Sequence, residues 1–346
     1  MGKNVFKRLS IGLLTAALAL SLLTGCGEIK AGSTVLRVGD EKVSLGLANF
    51  FARYMQAQYE SYYGISEDAW EQNVSDDETT YEASLKKDIM KNLQNAVLER
   101  QNAEEYKISL SDEDKAKIKE TAKAFMKDND AKAEKAVTAD QETVENYLEL
   151  VTYQKRVEDA IRATVTEEDI TDKEAAQKKM QYVYIAFSTT DEAGNVTLME
   201  DDQKKEIKKQ ADAFAKGAAE QEDFAAYATQ EGYTATDATF DKNSTDPDAK
   251  LIKAADKLKE GEVSDVIEGE TGYYVAKLTS TLDREATDQK KQELLSEKQS
   301  DAVTKQLKKW KKDTKIKVKK RLWKKVRFDK QGVTIKQQQS EGTEGE

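Results

Sequence analysis

The sequence predicts an α+β protein, mainly helical, with its clear strands gathered in one internal segment. Three observations lead there. The 346 residues include a single proline, Pro247, while 35% are charged, a composition that suits solvated helices better than turn-rich β structure. Apolar residues recur at three- and four-residue steps through much of residues 45–163, the period of a helix face. Two runs rich in β-branched and aromatic residues, 181–187 and 272–278, read as strands.

The first 25 residues are predicted to be an export leader. Lys3, Lys7 and Arg8 precede an apolar run of 13 residues, Ile11 to Leu23, and Leu23-Thr24-Gly25-Cys26 closes it. A positive start, a short apolar stretch and a small-residue cleavage site are the parts of a secretory signal. Thirteen helical residues reach about 20 Å, short of the roughly 30 Å of a bilayer core. The closing tetrapeptide resembles the bacterial lipobox, which implies cleavage before Cys26 and acylation of its thiol. Cys26 is the one cysteine in the chain. The expected location is therefore the cell membrane, lipid-anchored on its extracytoplasmic face, with residues 26–33 as a tether.

Composition excludes several chemistries. Removing the leader takes three basic residues from the total and shifts the formal net charge from −10 to −13, which argues against nucleic-acid binding. No cysteine remains for a disulfide, so apolar packing must hold the core. The chain has no histidine. That rules out Ser-His-Asp and Cys-His catalysis and any metal site built on imidazole. No cofactor and no metal are expected.

Along the chain, Val35–Val38 and Lys42–Ser44 form a small β element around a Gly39-Asp40 turn. Ser44 can cap the next helix, whose face carries Leu47, Phe51, Tyr54, Met55 and Tyr62. A second helix is predicted over 81–106, and a third starts at a capping-box-like pair, Ser111 and Asp114. Residues 127–138 read as a charged, alanine-rich surface connection, and a fourth helix runs over 141–163. Thr166 to Asp169 starts a linker helix expected to end near Lys179. Helices over 201–217 and 224–228 lie between the two strands, a long polar helix covers 288–313, and 316–318 is strand-like. Residues 337–346 are predicted to be disordered.

Two segments together resemble a known family. Val38-Gly-Asp-Glu-Lys-Val-Ser-Leu45, the helices after it and Val165-Thr-Glu-Glu-Asp-Ile170 look like the N-terminal chaperone domain of PrsA/SurA-type foldases. Residues 181–278 look like a parvulin (PpiC-type) prolyl-isomerase domain. They carry Glu222-Asp-Phe-Ala-Ala-Tyr-Ala, Leu258-Lys-Glu-Gly-Glu-Val-Ser264 and Thr271-Gly-Tyr-Tyr-Val-Ala-Lys-Leu in the family's order. The resemblance implies a helical chaperone domain over 34–170, an inserted parvulin-like α/β domain over 178–282, and a C-terminal helix and basic segment, 283–336, returning to the first domain.

The same resemblance places the site. Parvulins have two histidines at the floor of the proline pocket, and the matching positions here are Tyr184 and Tyr274. Thr271 and Phe240 remain compatible with the family. Its acidic or cysteine position falls near Gly232, its Gly-Gly-Asp-Leu-Gly signature is missing from 234–239, and its proline-pocket Met and Phe map to Pro247 and Leu251. Asp256 replaces an apolar position before Leu258. X–Pro isomerisation needs neither nucleophile nor cofactor, because its barrier of roughly 20 kcal/mol comes from lost amide resonance. Tyrosine can stand in for neutral histidine as a hydrogen bonder. Three readings stay open: a folding factor with a catalytically degraded parvulin domain, an active isomerase with a rewired site, and a non-catalytic scaffold. A transporter's solute-binding lipoprotein would need alternating strands and helices throughout, whereas the clear strands here lie within 181–278.

Two more features concern partners. Phe50, Phe51, Tyr54, Tyr59, Tyr62, Tyr63 and Trp70 crowd one region. Phe51 and Tyr54 are expected in the core. Tyr59, Tyr62 and Tyr63 are candidates for holding unfolded, newly secreted polypeptides. From Lys305 to Lys336 there are 15 basic residues against Asp313 and Asp329, with Trp310 and Trp323 interleaved. That stretch suits an anionic surface, an intramolecular contact with the acidic body, or a solvated face.

Overall fold

The computed structural model describes residues 18–20, 29–74, 79–190, 194, 196–329 and 332–335. Cys26, most of the expected leader and the expected disordered tail lie outside the described residues. In chain order the first elements are β1 (Leu18–Leu20), β2 (Thr34–Val38), β3 (Glu41–Ser44), α1 (Leu45–Tyr62), α2 (Tyr81–Gln101), α3 (Asp112–Asp128), α4 (Ala131–Val137) and α5 (Gln141–Arg162). Next come α6 (Asp172–Ala175), β4 (Lys178–Ala186), β5 (Ser188–Thr190), β6 (Val196–Leu198), α7 (Asp201–Ala218), α8 (Phe224–Gln230) and β7 (Ala235–Phe240). The last are α9 (Ala249–Ala255), β8 (Ile267–Glu268), β9 (Gly272–Ser280), α10 (Arg284–Asp313), β10 (Ile316–Val318), α11 (Lys320–Trp323) and β11 (Val333–Ile335). The fold is α+β, and the chain forms two compact units: Met1–Thr164 with Gln299–Glu346, and Val165–Lys298.

In the first unit, β2 and β3 form a hairpin, and Gly39 at its turn has φ +58°, where an L side chain is strained. β10 adds to β2 antiparallel, with Ile316 opposite Val38. The Ser44 hydroxyl accepts from Leu47 N at 3.1 Å and starts α1. The inner face of α1 meets α5 around Tyr147, whose ring lies edge-on to Phe50, Phe51 and Tyr54 at 5.2, 5.3 and 5.6 Å. Phe51 and Tyr54 are buried, as their spacing predicts. Burial holds the Tyr147 hydroxyl well above the ordinary phenol range. At the start of α3, the Ser111–Asp114 capping box forms. Arg156 of α5 grips the same Asp114 carboxylate with two bonds of 2.8 and 2.6 Å, holding it well below the usual carboxylate range.

The basic C-terminal stretch packs into this unit. Trp310, Trp323, Val326 and Phe328 are buried. Phe328 N and Asp329 N donate to Glu82 Oε2 at 2.9 and 3.2 Å, and Lys86 donates to Glu82 Oε1 and to the Val326 carbonyl. A nearly buried ion pair on α2 thus satisfies main-chain groups of the returning segment. The apolar residues of this stretch thus make an intramolecular contact, while its described basic side chains, apart from the half-buried Lys311, are exposed to solvent.

Several boundaries differ from the sequence expectations: the second helix ends at Gln101, the long polar helix starts at Arg284, and the two strands span Lys178–Ala186 and Gly272–Ser280. Residues 131–137 form α4 rather than an irregular connection. Asp130 caps it by accepting from Ala133 N at 2.8 Å, and Ala133 and Val137, one turn apart, are buried. The single linker helix expected from Thr166 to near Lys179 is instead one helical turn over Glu167–Asp169 and then the short α6 with its own cap, Thr171; Lys178 already belongs to β4, where pairing with β7 and β9 outweighs helix propensity.

The second unit is built on an antiparallel sheet of order β7-β4-β9-β8. Alternation sorts its side chains. Val183, Ile185, Tyr273 and Val275 pack with Phe214 of α7 and Phe224 of α8 on one face. Met180, Ala276 and Leu278 pack with Leu251, Ile252 and Ala255 of α9 on the other.

Candidate functional site

α9 covers only part of its face of the sheet. Beyond it, Tyr182 and Tyr184 of β4 and Tyr274 of β9 come up by the same period-two alternation that sends their neighbours to the α7 side. Tyr184 and Tyr274 are directly opposite in the ladder. Their rings are 5.0 Å apart and tilted by 42°, and Tyr182 lies 5.9 Å from Tyr274. The Tyr184 hydroxyl is 2.8 Å from Thr271 Oγ1. The structure therefore brings the three catalytic candidates, Tyr184, Tyr274 and Thr271, together.

Tyr184 and Tyr274, though not Thr271, line a cleft of about 490 Å³ together with Tyr182, Gly232, Tyr233, Thr234, Thr236 and Pro247. That volume suits a few residues of peptide. Burial, and then the neighbouring Asp248 carboxylate, push the Tyr274 hydroxyl up to about 12. It stays a neutral donor through the physiological range. Threonine and tyrosine make these walls more polar than a proline pocket needs. Among the described residues, no group of His, Cys, Asp and Glu could hold a metal ion.

The substrate-binding candidates separate. Pro247 and Gly232 line the cleft. Phe240 and Leu251 do not, because both are fully buried in the core between sheet and α9. Asp256 does not face the cleft residues either; it pairs with Lys178 at 2.8 Å. Tyr59, Tyr62 and Tyr63 belong to the other unit. Tyr59 is half-buried and lies 5.2 Å from Tyr63, 6.4 Å from Trp70 and 6.1 Å from Tyr81. Tyr62 and Tyr63 are 71% and 72% exposed.

Sequence reasoning missed two glycines that seat the tyrosines. A Cβ on Gly272 would lie 2.6 Å from Tyr184 Cζ and 2.8 Å from the Ile185 carbonyl oxygen. One on Gly269 would lie 2.7 Å from Tyr274 Cε2 and 2.9 Å from Asp248 Oδ2. The available signal was Gly269-x-x-Gly272 directly before Tyr273-Tyr274. Gly272→Ala is expected to displace Tyr184 and destabilise the second unit by about 1–3 kcal/mol, the usual cost of overpacking. Thermal unfolding and near-UV tyrosine dichroism check this.

Residues 187–286 match the PPIC-type PPIASE domain family. The match starts one residue past β4, so it contains Thr271 and Tyr274 but not Tyr184. The chain is 28% identical over 328 residues to the foldase protein PrsA of Clostridium botulinum strain Langeland, covering 89% of this chain and 94% of that protein. PrsA of Clostridium botulinum strain Hall is likewise 28% identical, over 334 residues, with the same coverage. Among solved structures, PrsA from Bacillus cereus aligns at TM-score 0.30 and 22% identity, over 74% of this chain and 97% of that one. PrsA from Streptococcus pneumoniae aligns at TM-score 0.29 and 22% identity, over 70% and 90%. The chain carries a PpiC parvulin-type domain and is homologous to PrsA foldases.

Proposed function

We propose that this chain is an extracytoplasmic folding factor, held at the membrane by lipid on Cys26, that binds newly secreted unfolded polypeptides. The observation that carries the reading is homology to PrsA foldases over 89% of the chain. Its parvulin-type cleft keeps the shape of a peptide site while tyrosines occupy the histidine positions. Among the described residues no helix is long and apolar enough to cross a membrane, so retention falls to the thiol of Cys26. Two acyl chains anchor stably where one does not. Cys26→Ser is expected to move the protein from the membrane fraction to the medium, read by fractionation and immunoblot. Mature protein without lipid should suppress aggregation of an unfolded client at near-stoichiometric ratio. Failure to do so removes the folding-factor reading.

The cleft acts mainly as a binding surface. A second reading, residual prolyl isomerisation, is favoured by the neutral Tyr274 hydroxyl, which can donate to the carbonyl of a twisting X–Pro amide. On that reading, Tyr184→Phe with Tyr274→Phe lowers cis–trans exchange of a proline peptide at least tenfold, since positioned donors contribute factors of this order or more. Unchanged exchange would strike both residues from the catalytic list. Aggregation suppression should survive the double variant.

A further inference from the structure

β11 has two main-chain edges. Along one, Val333 N donates to Glu60 Oε2 at 2.8 Å and Ile335 N donates to Ser61 Oγ at 2.7 Å, tying the strand to α1. Main-chain groups alternate sides along a strand, so Thr334 presents its amide and carbonyl to the opposite edge. β1 lies there, antiparallel, with Ala19 opposite Thr334, Leu18 opposite Ile335 and Leu20 opposite Val333. Leu18 is 2% exposed and joins the core of the first unit. Its amide donates to Asn129 Oδ1 at 2.7 Å, and Asn129 is itself held by donating to the Phe125 carbonyl at 2.8 Å. A strand edge, an apolar socket and a fixed acceptor together receive this short extended segment.

That segment lies within the export leader. Cleavage before Cys26, which this inference takes from the proposed function, removes β1 and leaves the edge, the socket and the Asn129 side chain. We propose that in the mature protein the free edge of β11 is a docking site for an extended apolar stretch of an unfolded polypeptide. The stretch would bind as an added antiparallel strand with a leucine-like side chain in the Leu18 socket. The extended backbone of β1 and the seated Leu18 identify the occupant's chemistry: an extended stretch that offers an uncharged aliphatic side chain. Main-chain pairing supplies affinity in such additions and the side-chain pocket supplies selectivity. Three paired residues make a short ladder, so binding is weak and tolerant of sequence, as release of a client requires. Before cleavage, the precursor occupies its own site.

The test uses a fluorescein-labelled peptide carrying residues 16–22 between lysine flanks, followed by anisotropy. The mature chain beginning at Gly27 should bind it saturably. A chain that retains the leader should bind at least tenfold more weakly. Thr334→Pro removes the amide that faces β1 and should weaken binding at least tenfold, whereas Thr334→Val should match the parent. A peptide with aspartate at the position of Leu18 should also lose at least tenfold, a control that leaves the protein untouched. Equal binding by leader-bearing and mature chains, equal binding of the two peptides, or recovery of membrane-extracted protein with residues 18–20 still attached overturns the proposal. Aggregation suppression without peptide binding removes this site and keeps the folding-factor reading. Peptide binding without suppression does the reverse.

Discussion

Replacing Trp70 by alanine is expected to lower the stability of the first unit by about 3–5 kcal/mol, the usual cost of emptying a buried tryptophan site. Trp70 is fully buried. Its ring stacks on Tyr81 at 5.1 Å and meets Phe328 edge-on at 5.0 Å. Its indole N–H donates to Glu60 Oε1 at 2.9 Å, while the other oxygen of Glu60 accepts from Val333 N. Removing the indole therefore opens a cavity and takes one donor from a carboxylate that orients β11 and also accepts from Gln56 Nε2 at 2.7 Å. The C-terminal segment should loosen first. Hydrogen exchange at Phe328 and Val333 would register this before global unfolding, and unchanged protection there would contradict the predicted order.

The second large effect concerns Glu99. This residue of α2 is fully buried beside Glu158 and Gln154 of α5. Burial first, and then the negative charge of Glu158 on α5, push its carboxyl from 4.5 up to about 8, with Lys311 of α10 opposing the shift. The folded state thus binds a proton that the unfolded chain releases. Between pH 4.5 and about 8 stability falls as pH rises, by up to about 1.4 kcal/mol for each pH unit. Glu99→Gln keeps the shape and removes the charge. It should stabilise the first unit above neutral pH, by several kcal/mol near pH 8 as an order of magnitude, and flatten the decline. Urea unfolding from pH 5 to 9 checks both. A variant whose stability still falls as steeply as the parent's would place the titrating group elsewhere.

Much of the fold could be read from local signals. Ser44, Ser111 with Asp114, and Thr166 with Asp169 act as the caps their side chains suggest. The strands carrying Tyr184 and Tyr274 were legible from β-branched and aromatic density, and the two rings meet as homology to parvulins implied. What local pattern could not reveal is who sits behind whom. Phe240 and Leu251 have the right chemistry for a proline pocket, yet alternation and the placement of α9 turn them into the core. Gly269 and Gly272 matter because rings from distant positions fold over them, and a glycine's sequence neighbours do not record that. The α4 helix was hidden by its charge and shortness, since two buried positions make a weak period. Lysines dominate the composition of the basic tail, and apart from Lys311 those described do face solvent. Its few apolar residues, Trp323, Val326 and Phe328, determine where it goes.

The docking of that tail sets a schedule for assembly. Glu60 and Val333 are 273 positions apart, and Gln56 reaches the Phe328 carbonyl across 272. The chain is made from its N-terminus, so α1 and α2 exist long before the residues that finish their packing. The second unit, a single continuous stretch of sequence, is complete while the first still waits for its final strand. The last segment to be made is thus the one that closes over Trp70 and pairs with Glu60.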